Sequence, residues 1–117
     1  MQILGVREKA GPHAAHVITW AGMRVGDDGK PQEMTDYADR SVQVFGTFGV
    51  GGAVRLEGSN DGVHWAVLSD PQGNELLLGE ESVRMVAEIT RYVRPVIPSG
   101  DAATALSVAL LVREVTR

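Results

Sequence analysis

A period of two runs through most of this chain. In residues 105–113, ALSVALLVR, Leu106, Val108, Leu110 and Val112 alternate with Ala105, Ser107, Ala109 and Arg113. Successive side chains of a strand point to opposite faces, so this spacing predicts a strand with one apolar face. Leu111 adds an apolar residue to the other face and suggests that both sides are at least partly covered. In SVQVFGTF (41–48), Val42, Val44 and Phe48 share a side, and Phe45 breaks the pattern. Val54 and Leu56 alternate with Arg55 and Glu57 in AVRLEGS (53–59), and Val63, Trp65 and Val67 share a face in VHWAVL (63–68).

Weaker strand signals lie in ILGV (3–6), HVITWA (16–21), NELLLG (74–79), VRMVAEI (83–89) and RYVRPVI (91–97). VRMVAEI also fits a short helical stripe through Val83, Val86 and Ala87. Pro95 lacks a ladder donor, which favours an edge strand or a bulge. Gly49-Val50-Gly51-Gly52, Asn60-Asp61-Gly62, Asp70-Pro71-Gln72-Gly73 and Pro98-Ser99-Gly100-Asp101 punctuate the runs. Short strands with turns at this spacing predict an all-β fold, an antiparallel β-sandwich or jelly-roll-like domain over residues 1–117. The stretch 22–40 reads as one long irregular loop, an arm able to pack on a neighbouring subunit.

At 117 residues the chain is long enough to bury a core without staples. It has no cysteine, which excludes disulfides, thiolate metal sites and a thiol nucleophile. Net charge is −4 and the basic residues are scattered, without the patch or stripe that nucleic-acid binding needs. The start of the sequence, MQILGVREKAGPH, does not read as a signal peptide, and the apolar stretch 102–112 is too short to span a membrane. A soluble protein is expected, with no nucleic-acid or membrane partner.

The segment VRLEGSNDGVHWAVLSD (54–70) has two readings. Asn and Asp tolerate left-handed backbone and Gly adopts it freely, so Asn60, Asp61 and Gly62 suit a hairpin turn. A calcium loop needs acids at alternating positions and a closing Glu, and Gly, Val, His and Trp follow Asp61 instead. The turn reading is preferred, and Asp27-Asp28-Gly29 is read the same way. His13 and His16 lead into a strand, where an i, i+3 pair points to opposite faces, and no third ligand is evident. His64 is expected at the surface. No GxSxG and no phosphate-binding loop is present, and FGVGGAV (48–54) lacks a following helix. Catalytic, cofactor and metal residues are therefore not assigned, and the chain is not expected to be an enzyme. Trp20 and Trp65 read as core anchors, or as a sugar-binding face. Arg91 and Tyr92 are either an interface anchor or a strand pair whose Tyr hydroxyl bonds to backbone. Met34 and Tyr37, inside the 22–40 stretch, join them as candidate interface residues.

Two resemblances rest on these residues. LEGSNDGVHWAVL (56–68) resembles the SNDG-then-Trp hairpin of discoidin-type β-sandwich domains, which bind glycans or lipid head groups. Over most of the chain, TWAGMRVGDDGKP (19–31), YADRSVQVFGTFGVGG (37–52), VRLEGSNDGVHWAVLSDPQGN (54–74) and RYVRPVIPSGDAATALSVALLVR (91–113) occur in an order that resembles small virion structural proteins of tailed bacteriophages. That resemblance implies a capsid decoration, or cement, protein on the outside of the head lattice. It would be made in the bacterial host cytoplasm, contact the major capsid protein, and self-associate as a dimer or trimer. It brings no catalytic residue and no cofactor. A tail, neck or fibre component and a carbohydrate-binding module are the alternatives.

Overall fold

The alternating runs become strands, and their apolar sides meet between two sheets. A computed structural model describes residues 1–11 and 14–114. The N-terminal strands are β1 (Gln2–Ile3), β2 (Gly5–Lys9), β3 (Ala15–Met23), β4 (Asp28–Gly29) and β5 (Gln32–Glu33). After them come β6 (Tyr37–Thr47), β7 (Ala53–Ser59), β8 (Ala66–Val67) and β9 (Leu77–Leu78). The chain closes with β10 (Ser82–Met85), β11 (Tyr92–Ser99) and β12 (Ala105–Glu114). There is no helix among the described residues.

One sheet has five strands in the order β10-β6-β12-β3-β2, all antiparallel. The other has seven. Its path is β1-β4-β11-β7-β8, with β5 also on β11 and β9 also on β7, and only β1 and β4 run parallel. From β6 onward the long strands alternate between sheets: β6 in the first, β7 in the second, β10 in the first, β11 in the second, β12 in the first. The expected all-β sandwich is therefore the observed fold.

The core follows the alternation. Ile18, Trp20, Val42, Val44, Leu106, Val108, Leu110 and Val112 are fully buried from the five-stranded sheet, against Val54, Leu56, Val93 and Ile97. Each such side chain contributes about 1.5–3 kcal/mol on burial. The two turns that carry the chain between sheets at one end interlock. The Val50 N–H donates to Asp101 (2.9 Å), Thr104 Oγ1 donates to the Phe48 carbonyl (2.8 Å), and Ser99 Oγ donates to the Gly51 carbonyl (2.8 Å).

The structure corrects four readings. Residues 22–40 are not an irregular arm. They contain β4 and β5 and bury Met34 completely, and Arg40 clamps them with Nη2 donating to the carbonyls of Met34 (3.1 Å), Tyr37 (3.1 Å) and Thr90 (2.7 Å). Asp28 and Gly29, read as part of a turn, form β4. Pro95 is not on an edge strand, because β11 has neighbours on both sides. On the β7 side Pro95 faces Leu56, and on the other side it falls between the Val93–Gln32 pair and the Val96–Asp28 pair. In 63–68 only Ala66–Val67 is strand, and Leu68 is the buried residue while Val63 is 73% exposed.

The remaining ambiguities resolve as follows. VRMVAEI is strand through Met85, after which Val86 turns into the core and its N–H donates to the Arg40 carbonyl. Leu111 is half-exposed, so the outer side of β12 is uncovered within the chain.

Candidate functional site

The seven-stranded sheet presents a charged and aromatic outer face. Arg94 of β11 sits opposite Glu57 of β7, and Val96 sits opposite Arg55. Arg94 pairs with Glu57 at 3.0 Å, and Arg55 pairs with the second Glu57 oxygen at 2.8 Å. Glu57 is therefore buried under two guanidinium groups. The Arg94 guanidinium also lies 4.1 Å from the Trp65 ring centroid, and Asp28 stands 3.9 Å from its other side. One row along, the Arg91 guanidinium lies 5.0 Å from the Tyr92 ring centroid. The Tyr92 hydroxyl makes no hydrogen bond among the described residues, so the backbone-bonded reading of this pair is not what the geometry provides.

The SNDG loop shapes one end of this face. Gly62 takes φ +78°, open to glycine at little cost. Asp61 Oδ1 accepts the backbone N–H groups of Val63 and His64, both at 2.8 Å, and the Ser59 hydroxyl at 2.9 Å. Its Oδ2 lies 2.8 Å from His64 Nδ1. These contacts, the His64 N–H foremost, hold the Asp61 carboxyl well below the usual carboxylate range. Asn60 Oδ1 accepts the Arg91 N–H at 3.0 Å and ties the loop to the start of β11. The segment is a hairpin loop between β7 and β8; it carries Trp65, which lies against Arg94, and its Asn60 holds the backbone of Arg91, which lies against Tyr92.

Ser59, Asp61 and His64 are the residue types of a hydrolytic triad, but their wiring differs. In such a triad the imidazole lies between hydroxyl and carboxylate. Here the carboxylate lies between the other two, and the Ser59 hydroxyl donates to Asp61 while accepting the Gly62 N–H at 2.8 Å. His64 therefore has no path to the Ser59 proton. Among the described residues no three His, Asp or Glu side chains gather as a metal site. His13 lies outside the described residues. His16 lies edge-on to Tyr37 with ring centroids 5.8 Å apart, and 3.6 Å from Glu114.

The five-stranded sheet has an outer face of different chemistry. One row crosses it as Met85, Ser41, Leu111, Val17 and Glu8. The next row reads Val83, Gln43, Ala109, Thr19 and Val6. The charge in these two rows is Glu8, at the β2 edge. Beyond them Asp39 and Arg113 face each other and form an ion pair. A shallow depression at that end is lined by Ser41, Met85 and Leu111 together with Asp39, Arg40 and Arg113.

The expected interface residues divide. Arg91 is exposed and Tyr92 partly exposed on the seven-stranded sheet. Met34 and Tyr37 are not. Both are buried in the chain's own core, and the Tyr37 hydroxyl accepts Arg7 Nη1 at 2.8 Å, so neither is presented to a partner. Trp20 is a core anchor as expected, with Nε1 donating to the Lys30 carbonyl at 3.1 Å. Trp65 is not a core anchor, being half-buried beneath Arg94. Arg94, Arg55 and Glu57 were not singled out from sequence. Their signal is the outward parity of Arg55, Glu57 and Arg94 in their strands, and it becomes a cluster only through the register of β7 and β11. No family model matches the chain, and no curated protein matches it significantly.

Proposed function

We propose that the protein is a virion structural component of a tailed bacteriophage, a capsid decoration protein that binds the outside of the head lattice. Binding only the assembled shell would stabilise that shell by mass action. The resemblance of its ordered sequence blocks to small phage virion proteins motivates the assignment. The observation that carries the mode of action is the Trp65, Arg94 and Tyr92 cluster on the outer face of the seven-stranded sheet. Trp, Tyr and Arg dominate the energetics of protein interfaces. Here Glu57 and the SNDG loop fix them before any partner arrives, which lowers the ordering cost of binding. The partner would be the major capsid protein.

The Ser59-Asp61-His64 wiring gives an enzymatic reading no support. A carbohydrate-binding reading is also poorly supported, since Trp20 is fully buried and Arg94 already covers one face of Trp65. Quantitative mass spectrometry of purified particles, counting copies against the major capsid protein, tests the assignment. A ratio near one, or a simple lattice fraction, is expected. A ratio of about one per hundred would move the protein to the neck or tail, and absence from particles would overturn a virion role.

A further inference from the structure

We infer that a second copy of this chain covers the outer face of the five-stranded sheet, forming a two-fold, sheet-on-sheet dimer. The inference is independent of the proposed virion role, because it concerns the chain alone in solution.

The first ground is charge. A two-fold contact sets one surface patch against itself, so a patch with an excess of one sign repels its copy. The chain carries net charge −4, which makes most of its surface a poor partner for itself. The seven-stranded face carries Asp28, Glu33, Arg55 and Arg94 at outward positions. The five-stranded face carries less: Glu8 at its β2 edge and, at one end, Asp39 and Arg113, which already pair with each other.

The second ground is shape and apolar content. Val83, Met85 and Val6, all more than half exposed, stand on the two edge strands, and Leu111 stands half-exposed on the central strand among the smaller Ser41, Ala109 and Thr19. Side chains of this size interdigitate at about 10 Å, the ordinary spacing of packed sheets.

The third ground is area. Five strands about 4.8 Å apart, along about eight residues of about 3.3 Å each, give a face of about 600 Å², which takes in the Asp39–Arg113 row at one end. Two copies would bury about 1,200 Å², the lower end of specific protein interfaces. A partner chosen by charge would find only Glu8 and an already paired Asp39 and Arg113, whereas an identical, largely uncharged face fits.

The natural absence of cysteine makes the test direct. Ala109→Cys places a thiol on the central strand, and Arg91→Cys places one on the opposite sheet. A short bis-maleimide is expected to cross-link the Ala109→Cys chain into a dimer and to leave Arg91→Cys uncross-linked. Sedimentation velocity of the unmodified chain at about 100 µM should give twice the 12.5 kDa of one chain. Ala109→Arg should weaken association by about 100-fold or more, with an unchanged far-ultraviolet spectrum. A monomer at that concentration, a trimer, or a dimer that cross-links through Arg91→Cys and not Ala109→Cys would overturn the inference.

Discussion

The Arg94 guanidinium lies over the Trp65 ring, 4.1 Å from its centroid, while its other edge pairs with Glu57. One side chain thus joins β11, the hairpin after β7 and β7 itself. A cation over an indole at a half-exposed site contributes about 0.5–1 kcal/mol. A double-mutant cycle with Arg94→Ala and Trp65→Ala, read by urea unfolding, should return a coupling of that size. Coupling of zero would mean that the stacking contributes nothing to stability.

The two tryptophans differ in environment, and fluorescence separates them. Trp20 is fully buried and Trp65 is half-buried at the surface. Trp65→Phe should leave a blue-shifted emission resistant to acrylamide quenching. Trp20→Phe should leave a red-shifted, quenchable one and cost several kcal/mol of stability, since it also abandons the Lys30 carbonyl. The opposite spectral pattern would contradict the packing described.

Arg40 is buried without a carboxylate partner among the described residues, and burial lowers its pKa. Three backbone carbonyls accept from Nη2 and offset the burial of its charge. Arg40→Ala would strand those acceptors and should cost about 2–4 kcal/mol in urea unfolding. Arg40→Lys should recover little, because an ammonium on a flexible stem cannot reproduce the planar fork. Full recovery by lysine would show that charge alone is required.

Gly29 leaves no room for a side chain. A Cβ there would stand 2.5 Å from Pro95 Cδ and 2.8 Å from Trp20 Cδ1. Both neighbours are ring atoms held in the core, so relief requires backbone movement. Gly29→Ala should destabilise by about 1–3 kcal/mol through overpacking, measurable as a lower urea midpoint. A neutral effect would mean that β4 is free to move away from β11.

Asp61, Asp70 and Asp101 each accept backbone N–H groups in a turn, led by those of His64, Asn74 and Val50 respectively, and each is held below the usual carboxylate pKa. A depressed folded-state pKa contributes stability above the unfolded value, about 3.9, and loses it as pH falls toward the folded value. Asp61→Asn should therefore be less stable than the parent at pH 7, with the gap closing below about pH 4. Urea midpoints at pH 7 and pH 3 measure this. A gap of equal size at both would assign the effect to shape, not charge.

Much of the sandwich was legible because its long strands bury one face each. β12 and β6 carry Leu106 to Val112 and Val42 to Val44 at strict alternation, and all of these are buried. The region 22–40 was not legible, because strands of two residues are shorter than one full alternation. Its order comes from distant partners: Met34 in the core, Arg40 reaching Thr90, and Gly29 against Pro95. Pro95 was half legible: the edge-strand reading fails, but the missing donor does face an irregularity, where residues 94–95 stand opposite residues 29–31, and Pro31 marks that interruption in the sequence. The Arg55, Glu57 and Arg94 cluster needed the β7–β11 register, which no local pattern encodes. Asp61 and Gly62 of the hairpin were readable because their role is local, whereas the bond from the Arg91 N–H to Asn60 was not.

The most direct test of the account is binding to capsid shells that lack this protein. Parent chain and Arg94→Glu, each confirmed folded by circular dichroism, would be sedimented with such shells over a range of concentrations. Saturable binding by the parent at lattice stoichiometry, and a loss of about tenfold or more in affinity with Arg94→Glu, is the expected result. No binding by the parent, or equal binding by both chains, would contradict the claim that the Trp65–Arg94 face docks on the shell.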